Sequence, residues 1–243
     1  MIIPRFKYAY SLKDVFGGLK NVFRDGKVTV PLFQTLFPEA QIQLTESAAS
    51  GIKYALEGFG LKKNARIGVQ PYTCSSVLGA IAAAGFTPFF IDINQNLKLN
   101  IVAWKSQVTD SDVLIVTHTF GFPAVIAEIK AIAPHLPVIE DCAHALFSQY
   151  EHRFVGTFFD AAVFSFGNGK FPSLGGGGML VINNPALNEQ IKERLSTLPK
   201  PSLWQELAQI VKSYAKAVMY APLPQWIMNK ILSEPYLNNR SKT

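Results

Sequence analysis

Lys170 lies between an apolar run, Ala161 to Phe166, and four consecutive glycines, Gly175 to Gly178, in the stretch AAVFSFGNGKFPSLGGGGMLVIN. The run reads as a buried strand and Met179 to Ile182 as another. An ammonium held between two pieces of core costs free energy unless something uses it. Residues without a Cβ let backbone approach a ligand closely or adopt positive φ. A reactive amine beside bare backbone suits a carbonyl cofactor; a surface hairpin carrying an ordinary solvated lysine is the plain alternative. Upstream, LPVIEDCAHALFSQY puts Asp141 at the carboxyl end of a short strand, the edge where open α/β sheets hold ligands. Such a carboxylate suits pyridoxal phosphate (PLP) chemistry, in which an aspartate pairs with the protonated pyridine nitrogen and a lysine forms a Schiff base with the aldehyde. Helix capping is the other common use of an aspartate at such a place.

The elements that must hold these residues alternate between strand and helix. Strands are expected over Arg66 to Val69, Pro88 to Ile93, Val113 to Thr117, Val138 to Glu140, Ala161 to Phe166 and Met179 to Ile182. Helices are expected over Ser47 to Gly58, Ser75 to Ala84 and Ala124 to Ala133, with Gly85 closing the second by a C-terminal turn. This order predicts an α/β fold with a mostly parallel central sheet and helices on both faces.

The ordered series VIEDCAHA, VGTFFDAAVFSFGNGK and LGGGGMLVIN resembles the DegT/DnrJ/EryC1/StrS family of PLP-dependent nucleotide-sugar aminotransferases. The resemblance continues upstream through LIVTHTFGFPA, PYTCSSVLGAIAAAGFTPFFIDI and TESAASGIKYALEGFG, and covers most of residues 40 to 183. It implies the large-domain fold of aspartate-aminotransferase-type (fold type I) PLP enzymes. It further implies that Lys170 is the Schiff-base lysine and proton shuttle, and that Asp141 binds the pyridine nitrogen. His144 would stand near the ring oxygen, Ser165 would donate to the phosphate, and His118 would lie at a strand end near the pocket. Ala48 and Ala49 replace the last two residues of the family's SGT, where free amides at a helix start can still hold phosphate. Cys74 occupies the position of a ring-stacking aromatic, with less face to offer. The glutamate of the family's GEGG is Gly176.

The implied activity is amino transfer from an amino acid, glutamate for example, to a nucleotide-linked keto sugar. Related sugar dehydratases replace the lysine by histidine, so Lys170 argues against that chemistry. A catalytically impaired or non-catalytic PLP-fold protein with a binding or regulatory role is the reading from another class. The family also continues to an NxR motif whose asparagine reaches the phosphate of a neighbouring subunit. Asn238, in LNNRSKT, is the matching residue and implies a homodimer. On this reading residues 1–243 form one PLP-binding large domain, and the small C-terminal domain that closes over substrate is expected to be missing, with activity impaired accordingly.

Composition agrees with a packed enzyme domain: 49% of the 243 residues are hydrophobic, 18 of them Phe. Two cysteines, Cys74 and Cys142, without a signal peptide fit a reducing cytoplasm. The net charge is +6, yet Lys and Arg are scattered singly or in pairs and no nucleic-acid motif occurs. A diphosphate-bearing substrate would also suit some excess of positive charge. Asp141, Cys142, His144 and His118 are metal-ligand types, but their spacing matches no zinc motif and no metal is expected. The segment 202–232 carries apolar residues at helical spacing, among them Leu203, Trp204, Leu207, Ile210, Val211, Tyr214, Ala215 and Val218. It is too polar to span a membrane. Packing on its own domain or on a dimer partner is the bland reading, and lying on a membrane surface is the other.

Overall fold

The computed structural model describes residues 12–22, 31–97, 99–197 and 202–219. Two compact units make up the chain: a larger one of Val30–Phe166 with Gly176–Pro199, and a smaller one of Met1–Thr29, Gly167–Gly175 and Lys200–Thr243. In chain order the first elements are α1 (Leu12–Val22), α2 (Pro31–Leu36), β1 (Gln41–Thr45), α3 (Ala48–Gly58), β2 (Arg66–Val69), α4 (Ser75–Ala83), β3 (Thr87–Phe90), α5 (Ile101–Gln107) and β4 (Val113–Thr117). There follow α6 (Ile126–Ile132), β5 (Val138–Asp141), the short β6 (Gln149–Tyr150) and β7 (Arg153–Phe154), β8 (Ala161–Ser165), β9 (Gly178–Ile182), α7 (Pro185–Ser196) and α8 (Leu203–Met219).

The larger unit is built on a seven-stranded sheet in the order β1-β9-β8-β5-β4-β2-β3. Strands β8, β5, β4, β2 and β3 run parallel, and β9 is antiparallel to both β8 and β1. Strands covered on both faces need apolar residues at every position rather than alternation. VLIV, AAVF and GMLVI meet that requirement, VIED departs from it at the buried acids Glu140 and Asp141, and nearly all of these residues are buried. On one face Ile52, Leu56, Val69, Ile81, Val163, Leu180, Leu187 and Ile191 join α3, α4 and α7 to the sheet. On the other, Ile91, Trp104, Leu114, Val116, Ile129 and Val138 bring in α5 and α6. Each such side chain contributes about 1.5–3 kcal/mol of burial.

The expected fold class holds, and several boundaries move for local reasons. β3 ends at Phe90, not Ile93, because its neighbour β2 stops at Val69; the Asp92 carbonyl then accepts from Asn100 N and Trp104 Nε1 instead of a ladder partner. α6 begins at Ile126 rather than Ala124, because the Ala124 amide donates to His118 Nδ1 at 3.0 Å. Gly85 does close α4, at φ +83°, with the Phe86 amide reaching back to Ile81 O. Strand β1 and helices α5 and α7 lie outside the sequence-based expectation. α7 is opened by Asn184, whose side chain accepts from Ala186 N and Leu187 N, with Pro185 at the first position.

In the smaller unit α1 packs against α8, and Gly18 leaves room for Ile210, which lies 3.4 Å from where a Cβ would stand. The loop carrying Lys170 turns on itself: Lys170 N donates to Gly167 O at 3.2 Å and Ser173 Oγ to the same carbonyl at 3.3 Å. Asn238, Asn239 and Arg240, and the part of the amphipathic segment beyond Met219, lie outside the described residues.

Candidate active site

The carboxyl edge of the sheet collects most of the predicted residues, and strand register shows how. Asp141 pairs with Val163 on β8 and with Thr117 on β4, and paired residues of parallel strands share a face. Ser165, two residues beyond Val163, therefore lies on the same face as Asp141. α3 covers that face, since a Cβ on Gly51 would stand 3.1 Å from Val163 Cγ1. Strand β9 starts where β8 ends, with Gly178 opposite Ser165. A Cβ on Gly178 would run into the backbone of Ser47 and Ala48. The start of α3 is thereby seated against the edge that carries Asp141.

Asp141 is buried, and its two oxygens are held by separate donors. Ala143 N donates to Oδ1 at 3.1 Å and Thr117 Oγ1 to Oδ2 at 3.4 Å. Ser47 caps α3, its Oγ accepting from Ser50 N at 3.1 Å. The amides of Ala48 and Ala49 belong to the first turn, where no preceding helical carbonyl exists to accept them, at the positive end of the helix dipole. On the next loop, Thr73 Oγ1 is buried and has no hydrogen-bond partner among the described residues, a condition that costs about 1–3 kcal/mol unless a ligand relieves it. Cys74 follows as the N-cap of α4 and is exposed.

The rim is aromatic. His144 is exposed and meets Phe120 edge-on at 6.0 Å, and Phe120 in turn meets Tyr72 at 6.0 Å. Phe120 and Phe122 stand largely in solvent and, with Gln70, Thr117, Thr119 and Leu99, line a cavity of about 360 Å³. Gln70, itself buried, is fixed by donating to Tyr72 O at 2.8 Å and Thr119 Oγ1 at 3.1 Å. Sequence reasoning passed over Thr73, Gln70 and Thr117. A run of small polar residues just after a strand end was the available signal.

His118 sits one residue past β4, near the edge as expected but turned to the opposite face from Asp141. Its Nε2 lies 3.1 Å from Glu140 Oε2 while Nδ1 accepts from Ala124 N, which selects the tautomer with hydrogen on Nε2. Glu140, with no exposed surface, also accepts from Gly156 N at 2.7 Å, Phe158 N at 2.8 Å and Phe159 N at 3.2 Å. Cys142 completes a cluster in which one ligand-type atom from each residue lies within 4.8 Å of the others. Burial, and then the charges of Glu140 and Asp141, push the Cys142 thiol well above its ordinary range. Through the bonds that Glu140 accepts, the cluster forms a knot that ties the 154–159 loop to β5 beside Asp141. Glu140→Ala is expected to destabilise the fold by about 3–5 kcal/mol, because three backbone amides and an imidazole lose their acceptor together. Chemical denaturation measures this, and a loss under about 1 kcal/mol would refute the knot.

The larger unit is thus an open, mostly parallel α/β domain with an acidic residue and a helix start at its carboxyl edge, the edge where such sheets hold ligands. Residues 38–206, more than half of the chain, match the model of the DegT/DnrJ/EryC1/StrS aminotransferase family, and the chain belongs to that family. It is 30% identical over 166 residues to GDP-perosamine synthase of Escherichia coli O157:H7, covering 65% of this chain and 46% of that one. To the spore coat polysaccharide biosynthesis protein SpsC of Bacillus subtilis (strain 168) it is 33% identical over 150 residues, 60% of this chain and 39% of that. The chain thus spans about half, or less, of the length of these relatives. Among solved structures, Helicobacter pylori PseC, an aminotransferase involved in the biosynthesis of pseudoaminic acid, shares the fold with a TM-score of 0.73. The identity there is 18%, over 90% of this chain and 67% of that one.

Proposed function

We propose that this chain carries the cofactor-binding part of a PLP-dependent aminotransferase that moves an amino group from an amino acid, glutamate as the first candidate, to a nucleotide-linked keto sugar. The observation that carries this reading is the buried Asp141 on the same sheet edge and face as the start of α3. Those residues fit the cofactor: a carboxylate for the ring nitrogen, first-turn amides of Ala48 and Ala49 with Ser165 for the phosphate, and an orphaned Thr73 hydroxyl on the loop after β2. PLP held there would supply an electron sink for exchange of the amino group. Lys170 would bind its aldehyde and carry the proton between the two exchanging carbons. Asp141, held by Thr117 and Ala143, would keep the ring nitrogen protonated, while His144 and Cys74 would border the ring. Asn238 would reach the phosphate of a neighbouring copy in a homodimer. A nucleotide-sugar substrate is supported by family membership and by similarity to a synthase whose name carries a GDP-linked sugar.

Borohydride reduction of the protein with PLP, followed by peptide mass mapping, tests this directly. The adduct is expected on Lys170; an adduct elsewhere, or none, would remove the basis of the assignment. A second readout is independent of activity. Cys74 is exposed while Cys142 is buried with a raised thiol pKa, so iodoacetamide is expected to label Cys74 alone in the native protein. Added PLP should slow that labelling by about tenfold if the ring covers Cys74, a change equivalent to about 1.4 kcal/mol of protection. Unchanged labelling would place the ring elsewhere.

A further inference from the structure

Two loops at the carboxyl edge of the sheet, one after β3 and one after β4, contribute most of the cavity of about 360 Å³. Thr117 both lines it and donates to Asp141 Oδ2, which sets it beside the proposed cofactor site. Its walls are mostly apolar, with Leu97, Leu99, Phe120, Phe122 and Pro123 among them, and no described lining residue is charged. The deeply buried polar member is Gln70, only 1% exposed. Its amide nitrogen donates to Tyr72 O at 2.8 Å and to Thr119 Oγ1 at 3.1 Å. A carbonyl oxygen only accepts, so the bond to Tyr72 assigns which end of the amide is nitrogen. Among the described residues nothing donates to Gln70 Oε1. A buried acceptor left in that state is costly unless a ligand or solvent meets it.

The same walls carry backbone strain. Among the described residues, the non-glycine positions with positive φ are Asn64, Leu97, Phe120, Glu151 and His152. Leu97 at +58° and Phe120 at +54° are the bulky apolar ones, and both line this cavity from separate loops. Asparagine and histidine tolerate that region, whereas a leucine or phenylalanine there is an outlier of the kind that gathers at ligand clamps. Ring burial does not account for it, since Phe120 is 59% exposed.

We infer that this cavity holds the base of the nucleotide-linked substrate, with the ring against Phe120 and Phe122 and a ring N–H, as in uracil, thymine or guanine, donating to Gln70 Oε1. The inference rests on the reading of the substrate as nucleotide-linked and adds where its base is held. A volume of about 360 Å³ is at the low end for ligand pockets, room for one ring system with its ribose rather than for a whole nucleotide sugar. Aromatic faces accept any base by stacking, so the choice between bases falls to the hydrogen bond. Both N–H groups of Gln70 are already engaged, and what remains to be met is an acceptor. An amino-acid donor, charged at both ends, finds no counter-charge among the described lining residues.

Isothermal titration of the full chain with UDP, dTDP and GDP tests this. At least one of them is expected to bind about tenfold or more tightly than inorganic pyrophosphate, through its base. Its analogue methylated at the ring nitrogen is expected to lose about tenfold or more, because the donor is removed and Gln70 Oε1 stays unmet. Phe122→Ala is expected to weaken the nucleotide by about tenfold with circular dichroism unchanged, its ring being 72% exposed. Phe120→Gly is expected to weaken it similarly without lowering Tm, because glycine adopts φ +54° freely. Absence of binding, binding no tighter than pyrophosphate, indifference to the methyl group, or unchanged affinity in both Phe variants would overturn the inference. These readouts are separate from the cofactor assignment, since reduction onto Lys170 needs no nucleotide. A Lys170 adduct in a protein that fails them leaves that assignment standing and removes the base pocket, whereas base-dependent binding without the adduct does the reverse.

Discussion

Asp141→Asn is expected to slow the amino-donor half-reaction by about 10²–10³-fold, while His144→Gln changes it by less than about tenfold. The contrast rests on what each side chain can still do. The amide introduced by Asp141→Asn fits the existing contacts: its carbonyl oxygen accepts from Ala143 N, and its NH₂ can donate to Thr117 Oγ1, which lies 3.4 Å from the native carboxylate. The fold therefore survives, and the loss is confined to the negative charge that would hold the ring nitrogen protonated. His144 is exposed at the rim, edge-on to Phe120, where glutamine keeps a hydrogen-bonding group and loses only an aromatic edge. Loss of PLP absorbance on adding glutamate to the PLP-loaded protein gives both rates. Equal losses would show that the two roles are wrongly assigned, and no change in Asp141→Asn would detach this carboxylate from the cofactor.

The second large effect is expected at Gly178. It lies in extended strand, where any residue's backbone is at ease, and what it supplies is the missing Cβ. Ser47 and Ala48 occupy the space a side chain would need, and backbone cannot step aside as a flexible side chain can. Gly178→Ala is expected to cost about 3 kcal/mol, a fall in Tm of roughly 6–12 °C, and to weaken PLP binding by moving the start of α3 off the sheet edge. Gly79→Ala, in α4 with open space around it, provides the control and should be neutral or stabilising by about 0.4–1 kcal/mol. Thermal denaturation with a PLP titration checks both. A Gly178→Ala protein with unchanged Tm and affinity would refute the close-approach role.

How far the chain's own order reaches can be judged from these residues. Runs such as VLIVT and AAVFS announce buried parallel strands, because burial on both faces leaves no room for polar residues. Asp141 at the end of one run and Lys170 after another were likewise legible, because each contrasts with the apolar residues before it. The amphipathic stretch from Leu203 was legible as a helix. Two things came only from tertiary structure. The four glycines look alike in sequence, yet Gly175 and Gly177 serve positive φ while Gly178 serves close approach, a distinction made by α3 arriving from more than a hundred residues earlier. Glu140 and Asp141 are adjacent acids, and only strand register sends one to the His118 knot and the other to the candidate site. Local pattern reports which residues must be buried or turned; which of them meet depends on long-range pairing, and that is decided when the sheet closes.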